Sequence, residues 1–598
     1  MALLSTQAPH VGDLVKMLKL SFVCYLVQLM PCVEAGDLIA QPPVFTSRNG
    51  ELNVTIALQF SVVTLAPGFS IATRTYNGSI PGPTLNVLPG DTLRITVVNQ
   101  LRGNSTKTQT PSSQHRRRLV RCTRENCTTL MGGGGFHAPN TTNLHTHGLH
   151  VSSAMGSDNV LDVVIGPGQE YQYTYRIPLD HMAGTYWYHP HSEGASALQT
   201  MGGCAGVIII RDPPREWGRG VPQFMYHVPE QLLVIQQTPM AALAGITQYS
   251  NDSLFRVVED ANHVLPARWW STTSENNQHG VGASGSSFNA SLIDNVALVN
   301  GLYRPIVSLI AGRWERVRIL NAGGLFFLDL TLSGCELQLV AIDGMYLLQA
   351  PRTVDHVILA PASRADVLVR CHEQGTFTLA SGAKQGASEQ WISDMYWNPV
   401  IASVVVAPPY TGNGDGTDEE LPHFEVNRPY YARDLRDIKQ KDVLNFTFGF
   451  QDVMLVDNAT SRKARQIYEL NGDDSGTCTF NNLTFKKGQP LLKIPLNSVQ
   501  QWAVTGVQAH PLHVHINPMQ IQVFTRNGAS TTEQCDREYA YYCVGDFLDT
   551  LQIPDAVGMA GAVVRYRVAD YVDVDEVLHC HYFVHEDEGC LAYAAIVP

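Results

Sequence analysis

The sequence predicts an all-β protein assembled from three β-sandwich domains, and three observations carry that prediction. Apolar and polar residues alternate with period two in stretch after stretch, the mark of strands with one face on a core. Forty-nine glycines and 33 prolines in 598 residues supply turns between short strands. A weak internal repeat recurs along the chain. Asn77-Gly78 precedes Gly90, Arg94 and Asn99, and Asn300-Gly301 precedes Gly312, Arg316 and Asn321, with the last three at matching offsets. Asn471-Gly472 followed by Ser498 to Trp502 reads as a third copy with more chain inserted. A chain of 598 residues is also too long for one core, and its 44% apolar and 16% charged content is that of an ordinary globular protein.

From the N-terminus, Lys16 and Lys19 precede an apolar run from Leu20 to Val33, and Val33-Glu34-Ala35 ends it with a small-residue cleavage pattern. Residues 1–35 therefore read as a secretory signal, with an uncleaved anchor as the alternative because the leader before Lys16 is long, and the expected location is extracellular. Ten Asn-x-Ser/Thr sequons, at Asn53, Asn77, Asn104, Asn126, Asn140, Asn251, Asn289, Asn445, Asn458 and Asn482, fit a glycosylated surface. No stable membrane insertion is expected. The formal charge of −13 argues against a nucleic-acid partner, which needs a basic face.

Domain one is placed at 40–212. Leu52, Val54, Ile56, Leu58, Phe60 and Val62 alternate in it, as do Tyr171, Tyr173, Tyr175 and Ile177. The Arg- and Gly-rich stretch 104–140, with Arg116 to Arg118 and Gly132 to Gly135, reads as an exposed insertion, either a binding or processing site or a solvated loop. A short helix is expected from Ser196 to Gly202. Asp212-Pro213-Pro214 marks the start of domain two, 220–410, in which Leu328, Leu330 and Leu332 alternate before Gly334, and Leu337, Leu339 and Ala341 after it. Pro408-Pro409 and the run Gly412 to Glu420 lead to domain three, 430–598. Of the 12 cysteines, Cys24 and Cys32 lie in the signal segment and Cys580 between two histidines; Cys122/Cys127, Cys535/Cys543 and Cys335/Cys371 are spaced to pair locally or across strands, which leaves Cys204, Cys478 and Cys590.

Ten of the 21 histidines and one cysteine fall in four short windows. These are His145-Thr146-His147, His189-Pro190-His191, His510-Pro511-Leu512-His513-Val514-His515, and His579-Cys580-His581 with His585. Histidines at alternate positions of a strand share one face. Imidazoles with one thiolate suit copper, whereas a zinc site needs only three or four such groups. His150 lies off this pattern and reads as structural.

The four windows, in this order at opposite ends of the chain, resemble the multicopper oxidases, the family of laccases, ascorbate oxidases, bilirubin oxidases and metal-oxidising relatives. The stretch Tyr76 to Leu85 is similar to that family's first domain. The resemblance implies three cupredoxin-like Greek-key domains and four copper ions. By it, His510, Cys580 and His585 hold a type 1 copper, and His145 and His513 a type 2 copper. His147, His189 and His581 hold one type 3 copper, and His191, His515 and His579 the other. It implies a monomeric oxidase of laccase type, with a phenol or aromatic amine giving single electrons through an exposed edge of His510 or His585, and dioxygen reduced to water. Cys580 then wires one copper to the cluster through its two histidine neighbours. Glu586 matches a glutamate that faces the oxygen site, and Asp158 an aspartate beside the type 2 copper, so both are candidates for the proton traffic of oxygen reduction.

Two points stay open in the sequence. The axial position, ten residues after the ligand cysteine, is Cys590 where the family has Met, Leu or Phe. It reads as a thiolate ligand, a neutral thiol, or half of a disulfide with Cys204 or Cys478. The donor is also open: Fe(II), Mn(II) or Cu(I) is the alternative, supported by the acidic run Glu586 to Glu588, in which Asp587 and Glu588 read as solvated charges. A non-catalytic copper-binding or cell-wall protein is a third possibility.

Overall fold

The structure is a computed structural model. It describes residues 37–66, 69–101, 138–217, 221–238, 256–259, 296–324, 327–382, 400–409, 421–453, 477–481, 483, 485–508, 510–526, 529–531, 535, 541–553 and 561–598. The signal segment, the Cys122/Cys127 pair and nearly all of the 104–140 insertion lie outside these residues.

Six sheets among the described residues form three sandwiches. In each, one central strand runs parallel to the strand before it in space and antiparallel to the next. Thr92–Asn99 pairs with Glu51–Ala66 and Glu170–Arg176, and Glu315–Asn321 pairs with Glu230–Thr238 and Arg364–Cys371. Ser498–Thr505 pairs with Leu444–Val453 and Gly561–Val568. The fold is cupredoxin-like in all three.

The sequence repeat is visible as hydrogen bonds. Asn77 (φ 54°) and Asn300 (φ 50°) adopt the left-handed conformation that asparagine tolerates. Their Oδ1 atoms accept from Ala57 N and Val234 N, tying each turn to the neighbouring strand. In the third sandwich the same job falls to Asn481 (φ 50°), whose Oδ1 accepts from Gly449 N, and Asn471-Gly472 lies outside the described residues. Asn99 and Asn321, both fully buried, close matching turns by accepting from Leu101 N and Gly323 N.

The expected alternation holds through Leu58 and then breaks. Leu52, Val54, Ile56 and Leu58 are buried, but Phe60 is half-buried and Val62 is 57% exposed, because the strand runs on past the edge of its core. Tyr173, Tyr175 and Ile177 are buried, as are Leu328, Leu330, Leu332, Leu337, Leu339 and Ala341. The helix spans Ser196–Gly202. Disulfides join Cys335 to Cys371, across adjacent strands, and Cys535 to Cys543. No described helix is long and apolar enough to cross a membrane. Asn53, Asn77 and Asn445 are exposed. Asn140 is a correction to the sequon reading: it is buried, with its Oδ1 accepting from Arg74 Nη2, so no glycan fits there.

Candidate metal centre

Strand pairing assembles the histidines. His145–His147 lies antiparallel to Gly184–His189, with His145 opposite His189. Leu512–Val514 lies antiparallel to Val574–Cys580, with His513 opposite His579 and Leu512 opposite Cys580. The first pair belongs to the first sandwich and the second to the third, and their histidine faces meet. His145 Nε2 lies 3.3 Å from His513 Nε2, and His191 Nε2 lies 3.3 Å from His579 Nε2. Rings of His147 and His513 stack at 3.6 Å, and those of His145 and His515 at 3.8 Å. His581 completes the group, with centroids 5.0 Å from His147 and 5.3 Å from His189. Trp187 and Phe583 wall it with apolar surface. All eight of these imidazoles are buried.

The period-two rule places Cys580 on the other side of its strand, inside the third sandwich. Its Sγ lies 3.5 Å from His510 Nδ1 and 3.4 Å from His585 Nδ1, and the two nitrogens are 3.2 Å apart. These three residues form a second compact donor group.

The chemistry of the donors fits a metal. Burial and the crowding of neighbouring imidazoles hold His147, His189, His191, His513, His515, His579 and His581 well below the usual histidine range. The rings are therefore neutral, the form that ligates. His147 Nδ1, His189 Nε2 and both ring nitrogens of His515 and of His581 are buried with no hydrogen-bond partner. A buried polar atom left unpaired is costly, and bound cations would remove that cost at one nitrogen of each ring.

Outer partners orient the rings. Asp158 Oδ2 accepts from His145 Nδ1 at 2.8 Å, and its Oδ1 accepts from Thr146 N and Oγ1. Glu586 is buried with its two oxygens 3.3 Å from His191 Nδ1 and from His579 Nδ1. Burial raises its carboxyl well above the usual range, with Asp587 adding to the effect. Asn143 grips His191 from both sides, accepting from its N–H and donating to its carbonyl.

Several expectations are corrected. Asp587 and Glu588 are not solvated: they are 0% and 6% exposed. Asp587 accepts from Ser196 N and Ala197 N at the start of the short helix, and burial raises it to about 8. His510 and His585 are 3% and 4% exposed, so neither offers an open edge: Phe450 stacks on His510 at 5.0 Å and Tyr582 packs against His585 at 5.4 Å. Cys590 is disulfide-bonded, which leaves it no thiolate to offer a metal, and Cys204 is a free buried thiol and so is not its partner. The Cys590 backbone is held between ligand residues, with Cys580 N donating to Cys590 O and Cys590 N donating to His585 O. His150, as expected, stands apart from the cluster, hydrogen-bonded to Ile516 O and Asp570 Oδ2. Asp549 and Thr550 touch the cluster and Arg364 holds Asp549, but none was legible in the sequence, since none lies beside a His-rich window.

Two groups of buried imidazoles, one of them with a thiol, could hold metal ions in and between cupredoxin-like sandwiches, a donor set that suits copper. Family models described as "Multicopper oxidase" match residues 61–119 and 136–215, residues 261–393, and residues 458–598. The chain belongs to the multicopper oxidase family, a family of copper oxidoreductases. It is 26% identical to "Copper resistance protein A" of Escherichia coli over 346 residues, which cover 55% of this chain and 47% of that one. It is 24% identical to a "Laccase" of Bacillus stratosphericus over 551 residues, 86% of this chain and 88% of that one. The chain spans about half the length of several other curated relatives it matches. Its fold is similar to that of "Multicopper oxidase from Campylobacter jejuni: a metallo-oxidase", with a TM-score of 0.63, 20% identity, and coverage of 94% of this chain and 96% of that one.

Proposed function

We propose that this chain is a secreted laccase-like oxidase that takes single electrons from phenols or aromatic amines and passes them to dioxygen. Four copper ions would supply the redox chemistry: one electron acceptor near the donor and a cluster of three that collects four electrons. His510, Cys580 and His585 would hold the first. His145 and His513 would hold the type 2 ion, and His147, His189, His581 and His191, His515, His579 the type 3 pair. The observation that carries this reading is the position of Cys580. Its Sγ lies between His510 and His585, while its chain neighbours His579 and His581 reach the other group. One strand end thus links the two sites by covalent bonds.

The remaining residues handle geometry and protons. Asp158 accepts from His145 Nδ1 and leaves Nε2 for a metal. Burial raises the Glu586 carboxyl beside His191 and His579, which suits it to carry a proton toward the cluster if oxygen were reduced there. Trp187 and Phe583 exclude water. The N-terminal apolar run and the exposed sequons support export.

A metal-ion donor, Fe(II), Mn(II) or Cu(I), is the second reading. The relatives named a copper resistance protein and a metallo-oxidase favour it, while the acidic run no longer does, because all three of its carboxylates are buried. Oxygen uptake by copper-loaded protein with a phenol against Fe(II) separates the two. Faster uptake with the phenol is expected. Uptake with the metal ion alone overturns the first reading, and no uptake with any donor points to a non-catalytic copper protein.

A further inference from the structure

We propose that Arg364, from the second sandwich, is a positioning residue for the three-copper cluster and acts through Asp549 on His147 and His513. This rests on the ligand assignment above. The second sandwich supplies no ligand under that assignment, yet it reaches the cluster here.

Arg364 is fully buried and forms a two-pronged pair with Asp549: Nη1 donates to Oδ1 at 2.9 Å and Nη2 to Oδ2 at 2.5 Å. Two of its three other donors are fixed, Nε on Thr185 O at 3.1 Å and Nη1 also on Ala362 O at 3.0 Å. Asp549 Oδ1, so held, lies 3.0 Å from His147 Nε2, and the Asp549 carbonyl lies 2.9 Å from His513 Nδ1. Thr550 Oγ1 lies 3.2 Å from the same nitrogen of His147 and donates to Asp549 Oδ1. A proton is thereby fixed on Nε2 of His147 and on Nδ1 of His513. The opposite nitrogens are freed: His147 Nδ1 has no partner, and His513 Nε2 faces His145 Nε2.

Two further features lock this arrangement. Asp343, also from the second sandwich, accepts from Arg364 N with Oδ1 and from Asp549 N and Thr550 N with Oδ2. Gly148, the residue after His147, has φ +86°, and a Cβ there would overlap Arg364 Nη2 and come within 2.5 Å of Asp549 Oδ2. The backbone beside His147 thus rests directly on the ion pair. A buried ion pair is a poor device for stability alone, since a well-packed apolar replacement is often as stable. A pair aimed at two ring nitrogens orients ligands instead.

The test uses the full-length, copper-loaded protein. Arg364→Met, Asp549→Asn and Gly148→Ala are compared with Arg364→Lys by elemental copper analysis after dialysis against graded chelator. The electron paramagnetic resonance of the type 2 copper is read alongside. The blue band at about 600 nm reports the separate His510–Cys580–His585 group, and so the fold of the third sandwich. Arg364→Met, Asp549→Asn and Gly148→Ala are expected to release cluster copper at roughly 10–100-fold lower chelator and to shift the type 2 signal, with the blue band retained. Arg364→Lys, which keeps the charge and loses the fork, is expected to fall between them and wild type. Chelator dependence and type 2 signal equal to wild type in Asp549→Asn and Arg364→Met would overturn the proposal. So would parallel loss of the blue band, which would make the pair merely structural. Wild-type protein that takes up no copper would overturn the ligand assignment itself, and this inference with it.

Discussion

His145 and His513 face each other nitrogen to nitrogen at 3.3 Å across the seam between the first and third sandwiches. Their other nitrogens are committed to Asp158 and to the Asp549 carbonyl, which leaves the two Nε2 atoms turned toward each other. A bound cation that both rings ligate would clamp the two sandwiches together. Copper removal should therefore lower stability by about 3 kcal/mol at copper a hundredfold above its Kd. Thermal melts with and without chelator, followed by copper add-back, check this. Equal melting points would show that the seam does not depend on metal.

Asp158 fixes the ring of His145 with one carboxylate oxygen and the Thr146 backbone with the other. In Asp158→Asn, an amide can present its NH2 to Nδ1 and favour the opposite tautomer. The expected result is roughly a 10–100-fold loss of type 2 copper affinity or oxygen uptake. The blue band should persist, because the Cys580 group is separate.

Phe450 covers His510, so the ring that would receive electrons is sealed from large donors. Replacing Phe450 with Leu keeps much of the apolar volume and removes the stacked ring. kcat/KM for a bulky phenol should rise by about tenfold, equivalent to about 1.4 kcal/mol of barrier. A small donor should change less. A fall for both would mean that Phe450 helps electron entry instead of blocking it.

Glu576 carries a pH dependence that has no link to metal. It is fully buried, accepts from Asn517 Nδ2 at 2.6 Å and interacts with Tyr566 Oη at 2.9 Å, and burial raises it from 4.5 to about 7. The folded protein holds this proton longer than the unfolded chain. The contribution is thus fully present below pH 4.5 and declines as pH rises to about 7, by up to about 1.4 kcal/mol per pH unit. Denaturant unfolding from pH 4.5 to 7 should lose that slope component in Glu576→Gln. An unchanged slope would assign it to other groups.

The metal centre was largely legible in the sequence because its ligands come in short windows whose spacing equals the strand period. His145 and His147, or His579 and His581, need no tertiary information to share a face. The domain repeat was legible for a similar reason, since Asn77 and Asn300 close turns that only a few residue types can make. Groups that meet only through folding were not legible. Arg364 and Asp549 are separated by 185 residues, and each alone is an ordinary charged residue. Asp587 and Glu588 read as surface charges because three acids in a row usually are; the short helix Phe583–Asp587 turns them inward against Ser196–Gly202. The cover over His510 is not legible either, because Phe450 lies 60 residues before it and meets it only through folding.

The most direct test is copper content combined with spectroscopy of the native protein. Four copper ions per chain are expected, one of them giving the blue band at about 600 nm that disappears in Cys580→Ser while the other three remain. One copper or none in undamaged protein, or a blue band that survives Cys580→Ser, would contradict a metal centre shared between the first and third sandwiches and wired through Cys580.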